Sequence, residues 1–270
     1  MKFAICNEMF EGWEFAKVCA AAREAGYTGV EIAPFTLGGL ASDVSAAQRE
    51  AIRNTAAENG VEVVGLHWLL AQTEGFHINH PEKATRDRTS QYLIDLTNLC
   101  ADLGGTIMVF GSPKQRNVLN DIPRFQAWED AIETFRQVVP ALESRGVTLC
   151  LEPLGPEETD FVNTAAEAAQ IIEEIDSSKF QLLLDVKAMS TEGRPLADII
   201  RGNRSRVKHF HANDANRRGP GFGDTDFTPI AAALKEINYQ GWISVEVFDF
   251  TPDPVTVATE SMSYLTKVFG

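Results

Sequence analysis

Glu152, Asp185, His211 and Glu246 are the residues of this chain whose types and spacing fit chemistry. Each ends an apolar run: Val147-Thr-Leu-Cys-Leu, Phe180-Gln-Leu-Leu-Leu, Val207-Lys-His-Phe and Gly241-Trp-Ile-Ser-Val. They are 33, 26 and 35 residues apart (185−152, 211−185, 246−211). Such runs read as short β-strands, whose side chains alternate between faces, so His211 shares a face with His209 and Val207. A strand that runs out into His211-Ala-Asn213-Asp214, instead of more Val or Leu, delivers polar groups at its tip. Three carboxylates brought together without a cation repel and raise one another's pKa, so the set requires a divalent ion or a shared proton. Mostly oxygen ligation with one imidazole suits Mn²⁺ first, then Mg²⁺ or Co²⁺, with Zn²⁺ also admitted although its structural sites prefer thiolates. One such residue alone reads as a paired charge at a strand end; four at successive strand ends read as a site for one divalent metal ion.

The elements that must position these residues follow from a repeated local pattern. A helix-like segment ends in Gly and a β-branched run follows at once, around Gly26, Gly60, Gly104, Gly146 and Gly241. Glycine tolerates the left-handed conformation that closes a helix, so each reads as a C-cap leading into a strand. With Lys2–Cys6, Phe180–Asp185 and Val207–His211 this makes eight strands, spaced at roughly the length of a β-α unit. Amphipathic segments lie between them. Ser45 and Gln48 form a capping box for a helix to Asn59. Thr85 to Leu103 carries Tyr92, Leu93, Leu96, Leu99 and Cys100 at helical spacing. Asn163-Thr164 opens another helix, and Pro229 sits in the first turn of a further one. Strands alternating with helices imply a parallel sheet, and eight units imply a closed (β/α)₈ barrel spanning residues 1–270 as a single domain. Helix-to-strand links are short, whereas Trp68–Pro81, Gly111–Pro123, Pro153–Asn163, Val186–Pro195 and Ala212–Thr228 are long. The elaborated end is the one where barrels of this kind carry their sites.

Composition excludes other classes. The formal charge of −14 over 270 residues argues against a grip on nucleic acid, which rests on neutralised phosphates. No apolar run reaches the ~20 residues that span a bilayer, and the N-terminus lacks the apolar core of a signal peptide. Cys6, Cys19, Cys100 and Cys150 show no C-x-x-C spacing and read as reduced core thiols. A cytoplasmic protein is expected.

At the four strand ends the chain resembles the sugar epimerases and isomerases of the xylose isomerase-like TIM-barrel superfamily, especially the ketose 3-epimerase and hydroxypyruvate isomerase group. The resemblance runs almost end to end. It is carried by Leu151-Glu152-Pro153, Leu184-Asp185, His209-Phe-His211-Ala-Asn213-Asp214, Arg217-Arg-Gly-Pro-Gly-Phe-Gly223 and Val245-Glu246-Val-Phe248. It implies that Glu152, Asp185, His211 and Glu246 bind one divalent ion and that Glu152 and Glu246 are the paired acid/base groups. Glu158 and Arg217 match positions that contact the substrate or steady those glutamates. The implied activity is a metal-dependent isomerisation or epimerisation of a ketose or related hydroxy-carbonyl sugar, through proton removal beside a polarised carbonyl. The implied partner is a small-molecule sugar, with neither nucleic acid nor membrane, and a homo-oligomer is compatible with the sequence.

The chain departs from the family after Asp185. The family pattern Asp-x-x-His becomes Asp185-Val-Lys187-Ala188, which removes an imidazole that normally contacts the substrate's carbonyl end. Lys187 either fills that gap or is a solvated surface lysine. With the imidazole gone, a second outcome is elimination of a leaving group from an oxidised keto sugar or glycoside, a lyase reaction. A DNA-repair endonuclease of the same superfamily would need further histidines where Ala188 and Asp224 stand, and a non-catalytic sugar-binding barrel fits poorly with two retained glutamates.

Other polar residues have two readings each. His67 ends the third strand, to contact substrate or to act from behind the site, against a buried structural histidine. Lys114 and Arg116 either hold an anionic substrate group or are solvated loop charges. Glu31 hydrogen-bonds or pairs inside the barrel, and His77 and His80 carry no assigned role. Trp13, Trp68, Phe222 and Phe248 are aromatic candidates for a sugar face, with Phe248 taken as a substrate contact. The Gly219-Pro-Gly221-Phe-Gly223 loop reads as a flap across the mouth.

Overall fold

The computed structural model describes residues 1–119 and 121–270; Asn120, within the loop expected between Gly111 and Pro123, lies outside the described residues. Eight parallel strands close into a barrel in sequence order. They are β1 (Lys2–Cys6), β2 (Gly29–Ile32), β3 (Glu62–Leu66), β4 (Ile107–Phe110), β5 (Thr148–Leu151), β6 (Phe180–Asp185), β7 (Val207–Ala212) and β8 (Trp242–Val245). The closing pair is β1 with β8, where Ala4 lies opposite Ser244. The α-helices around them are α1 (Phe15–Ala25), α2 (Ala46–Glu58), α3 (Lys83–Asp102), α4 (Arg124–Arg145), α5 (Ala165–Ile175), α6 (Val186–Met189), α7 (Leu196–Gly202), α8 (Thr228–Glu236) and α9 (Pro254–Phe269). The expected eight-unit barrel is the observed one.

Local signals hold in most places. The Ser45 hydroxyl accepts from Gln48 N at 3.3 Å while Gln48 Oε1 accepts from Ser45 N at 2.8 Å, closing the capping box on α2. The Thr164 hydroxyl caps α5, accepting from Glu167 N, while the Glu167 carboxylate accepts from Asn163 N. Gly26 and Gly146 close α1 and α4 in the left-handed region. Gly241 does not. After α8 the left-handed position falls to Asn238, and Gly241 is small for another reason: a Cβ there would lie 2.4 Å from the Tyr239 hydroxyl. That hydroxyl ties the β7 carbonyl of Lys208 to Trp242.

Two apolar layers hold the barrel. Met108, Phe110, Leu149, Leu151, Leu182 and Leu184 belong to the larger core, which also takes in buried residues of the surrounding helices, such as Phe135 and Ile171. Ala4, Val64, Ile107, Val109, Cys150 and Leu183 form a separate, smaller cluster with Trp242. Their alternation with the first set along β4, β5 and β6 puts them on the barrel's inner face. Each fully buried large aliphatic contributes about 1.5–3 kcal/mol, so this floor is a rigid base for the polar groups above it.

Two register shifts adjust what stands on that base. The β2–β3 register moves between Val30 and Glu31. On the other side Leu182 faces Val207 but Leu183 faces His209, leaving Lys208 as the extra residue of a bulge, exposed to solvent. Bulges re-aim the side chains beyond them. Here Glu31, His209 and His211 follow the two shifts.

Candidate active site

Glu152, Asp185, His211 and Glu246 meet at the C-terminal ends of β5 to β8, each offering one ligand atom, all within 4.8 Å of one another. All four are buried. Backbone pairing fixes where they stand: Glu152 N donates to Phe110 O at 3.1 Å and Glu246 N to Ala212 O at 3.3 Å. Asp185 accepts from Ala188 N at 2.7 Å through Oδ1, and its Oδ2 accepts from the Asn213 amide. Asn213 Oδ1 in turn accepts from Lys187 N at 2.8 Å, so the His-x-Asn motif orients both ends of the Asp185–Lys187 turn.

The donor set fits a divalent ion. Among the described residues Glu246 Oε2 and His211 Nδ1 are buried with no hydrogen bond, 3.2 Å apart, on the side where the other two carboxylates converge. Three oxygens and one nitrogen are the donor chemistry of Mn²⁺ or Mg²⁺ sites that admit an imidazole. The orienting partner of His211 is Glu31, which sequence reading left between two roles. Glu31 Oε1 stands 3.2 Å from His211 Nε2 and Oε2 stands 2.8 Å from His209 Nε2. A carboxylate behind a ligand imidazole fixes its tautomer and leaves Nδ1 for the site.

Electrostatics separates the two glutamates. Burial, reinforced by the Glu246 and Asp185 charges, holds the Glu152 carboxyl well above its ordinary range. Burial also works against ionised Glu246, but His211 and then His67 outweigh it and pull its carboxyl far down. For His211 burial opposes the charged ring, and Glu246 with Glu31 raises it well above its ordinary value. Pairs of acids pushed apart in this way are suited to opposite proton-transfer roles.

A cavity of about 470 Å³ opens over the centre, lined among others by Trp68, Lys114, Glu152, Glu158, Lys187, Arg217, Glu246 and Phe248. Glu158, Arg217, Lys187, Lys114 and Phe248, all expected near substrate, therefore share one wall system. Lys187 is not a solvated surface lysine. It is 8% exposed, its Nζ donates to Glu158 Oε1 and Oε2 at 2.8 and 3.0 Å, and it lies 4.1 Å from the Phe248 ring centroid. The α6 turn that follows β6 aims it inward. Lys114 is exposed at the rim.

Arg116 is corrected on both readings: it is wholly buried and outside the cavity. Its guanidinium donates to Phe110 O at 2.9 Å and toward Phe161 O at 3.4 Å, joining the loops after β4 and β5. Burial pulls its pKa down to about 10, against Glu152 and Glu158.

His67 does not reach the cavity; it stands behind the site with Nδ1 3.3 Å from Glu246 Oε1. The same oxygen accepts from Trp68 Nε1 at 2.8 Å. Trp68 also stacks on Phe248 with centroids 5.9 Å apart, so one aromatic both holds a glutamate and walls the cavity. Trp13 and Phe222 lie elsewhere. The Gly219–Gly223 loop is packed on α9 and is not a flap over the cavity: a Cβ on Gly219 would meet Ser261 Oγ at 2.2 Å, and one on Gly221 would meet Tyr264.

Two features escaped sequence reading. A Cβ on Gly111 would lie 2.4 Å from Glu152 Oε2, so the glycine after β4 is the space the carboxylate occupies. Trp68, Ser112 and Arg217, each soon after a strand end on the mouth, adopt positive φ of 51°, 39° and 72°. Non-glycine residues in that region cost about 1–3 kcal/mol each and concentrate at functional sites.

The profile of the xylose isomerase-like TIM barrel matches residues 19–268. The chain belongs to that family. Over 121 residues it is 33% identical to the D-psicose 3-epimerase of Ruminiclostridium cellulolyticum, covering 45% of this chain and 41% of that protein. Over 136 residues it is 31% identical to the 3-dehydro-D-guloside 4-epimerase of Escherichia coli, covering 50% of this chain and 51% of that protein. These matches span about half or less of the relatives' length. The crystal structure of D-psicose 3-epimerase with D-tagatose from Clostridium cellulolyticum aligns with a TM-score of 0.87 at 22% identity, over 100% of this chain and 99% of that one, a likeness of fold.

Proposed function

We propose that this family member is a divalent-metal-dependent epimerase or isomerase of a ketose or related keto sugar, with Glu152 and Glu246 as its acid/base pair. The observation that carries it is geometric: two buried glutamates line one cavity of about 470 Å³ and converge there with Asp185 and His211, one donor atom of each within 4.8 Å of the others. The metal would be held by Glu152, Asp185, His211 and Glu246, with Mn²⁺ favoured by the donor set. When bound, a divalent ion supplies Lewis-acid stabilisation of negative charge on the substrate oxygens.

The chain's own residues account for the rest. One glutamate takes the proton from the carbon beside the carbonyl, and the C–H electron pair moves into an enediolate. The other returns a proton to the opposite face, so configuration inverts with no net change in atoms. Trp68 and His67 keep Glu246 in place through Oε1, and Gly111 leaves room for Glu152. The Lys187 ammonium, anchored by Glu158, presents N–H donors where the family has an imidazole at the position of Ala188. That replacement favours substrates with a further acceptor over free ketohexoses. Two of the relatives agree with either choice by name, one acting on psicose and one on a dehydro-guloside.

The Ala188 replacement also supports a second reading, elimination from a keto-glycoside through the same enediolate. Incubation in D₂O with Mn²⁺ tests both. Deuterium gained at one carbon with unchanged connectivity and a new epimer is expected of an epimerase, and released aglycone identifies the lyase. Absence of exchange on free ketoses, keto-glycosides and acidic or phosphorylated sugars alike would sink the proton-transfer reading.

A further inference from the structure

Outside the centre on β5 to β8, three side chains from the other side of the barrel meet, and among the described residues the oxygen and nitrogen donors of two of them have no hydrogen bond. Cys6 ends β1, Glu8 opens the 3-10 turn Glu8–Phe10 just after it, and His67 directly follows β3. One donor atom from each lies within 4.8 Å of the others. They are 0%, 3% and 0% exposed. Both Glu8 oxygens and His67 Nε2 lack a hydrogen-bond partner among the described residues, although His67 Nε2 stands 3.2 Å from Glu8 Oε2. Leaving a buried carboxylate without partners is costly. An ion pair with His67 would engage Oε2 and leave Oε1 without a partner among the described residues.

We propose that Cys6 Sγ, Glu8 and His67 Nε2 form a second cation site, for a borderline-soft divalent ion of the Zn²⁺ type. One sulfur, one nitrogen and one carboxylate oxygen are zinc donors, whereas the neighbouring oxygen-rich set is not selective for a soft ion. The other grouping that Cys6 could join, with Glu31 and His211, is already spent: both Glu31 oxygens face imidazoles and His211 Nε2 faces Glu31. Binding at the new site displaces the Cys6 thiol proton to water, the thiolate being the ligand.

The site has a consequence for the first one. Metal-bound imidazoles characteristically donate their remaining N–H to a carboxylate, which orients both groups. His67 Nδ1 lies 3.3 Å from Glu246 Oε1. An ion at Nε2 therefore fixes the Nδ1–H tautomer and holds Glu246 in position. The site is read from its own three side chains and does not depend on which reaction the chain catalyses.

Cobalt supplies a test that reads sulfur ligation directly. The full chain, stripped of metal, is titrated with CoCl₂ while absorbance and bound ion are followed. Two ions per chain are expected, one with near-ultraviolet thiolate-to-cobalt charge transfer. Cys6→Ser should remove that band and one ion and keep the other. Glu8→Gln, available if the first variant does not fold, should weaken the ion that carries the band by at least about tenfold. A single ion with a sulfur band would support this site and count against the carboxylate centre. No sulfur band in the wild-type protein, or a band that survives Cys6→Ser, overturns the proposal.

Discussion

The mouth of the barrel treats buried acids in two ways. On the β5–β8 side, Trp68 and His67 hold only Oε1 of Glu246, while its Oε2 converges with Glu152 and Asp185 on His211. Inside the barrel at β2, Glu31 is as deeply buried but fully engaged, one oxygen on His209 and the other on His211. The imidazoles outweigh burial and keep Glu31 well below the ordinary carboxylate range, while Glu152, facing other carboxylates, is pushed well above it. The first kind of acid keeps an oxygen turned to the cavity side, and the second braces the imidazole of His211. Burial and residue type are the same, so function here is distinguished by the partner each oxygen has.

The comparison is broken most severely at Glu246. Glu246→Gln should lower kcat by about 10²–10⁴-fold with KM nearly kept, the scale of lost general acid–base catalysis. Steady-state kinetics on whichever keto sugar exchanges its proton checks this, and a change confined to KM would move Glu246 to a positioning role. Glu31→Leu should act on stability instead. It removes the carboxylate that faces two buried imidazoles, and breaking a buried pair from one side costs about 3–5 kcal/mol. Denaturant unfolding would show it; an unchanged midpoint would mean that His209 and His211 need no carboxylate.

Gly111→Ala sharpens the contrast without altering any ionisable group. The new methyl must displace Glu152 Oε2, and misplacement by about 1 Å at a reacting group costs on the order of 10²-fold in rate. The expected result is lost kcat with an unfolding midpoint close to wild type. Equal activity would show that Glu152 has freedom to move.

The smallest effect is expected away from both acids, at His77 in the loop after β3. Burial, and secondarily His80, lowers its pKa from 6.5 to about 4, and neither ring nitrogen has a hydrogen bond among the described residues. The unfolded chain then takes up a proton that the folded chain refuses as pH falls from about 6.5 to about 4, so stability declines across that window. As pH falls across it, the melting temperature of wild type should drop relative to that of His77→Leu, and parallel curves would rule out His77 as the cause.

Much of this was legible from sequence where the signal was local. Eight glycine- or strand-punctuated units specified the barrel, and Ser45–Gln48 marked its helix to the residue. Glu152, Asp185, His211 and Glu246 could be found because each ends its own apolar run, and strand order then makes them neighbours. Helix closure at Gly241 is not borne out because Asn238, three positions earlier, is also able to end the segment. Only the packing of Tyr239 decides between them.

Tertiary structure alone decided which polar side chains are buried and against what. Lys187 and Lys114 look alike in sequence, yet one is locked onto Glu158 and the other stands at the rim. Arg116 became internal because the loops after β4 and β5 close over it. Glu31 meets His211 from 180 positions away and His67 meets Glu246 from 179. No periodicity within a segment encodes such pairs. They exist because closing the sheet brings strand ends from opposite sides of the barrel within hydrogen-bond reach, and in that water-poor interior each polar atom must find a partner or be reserved for a ligand.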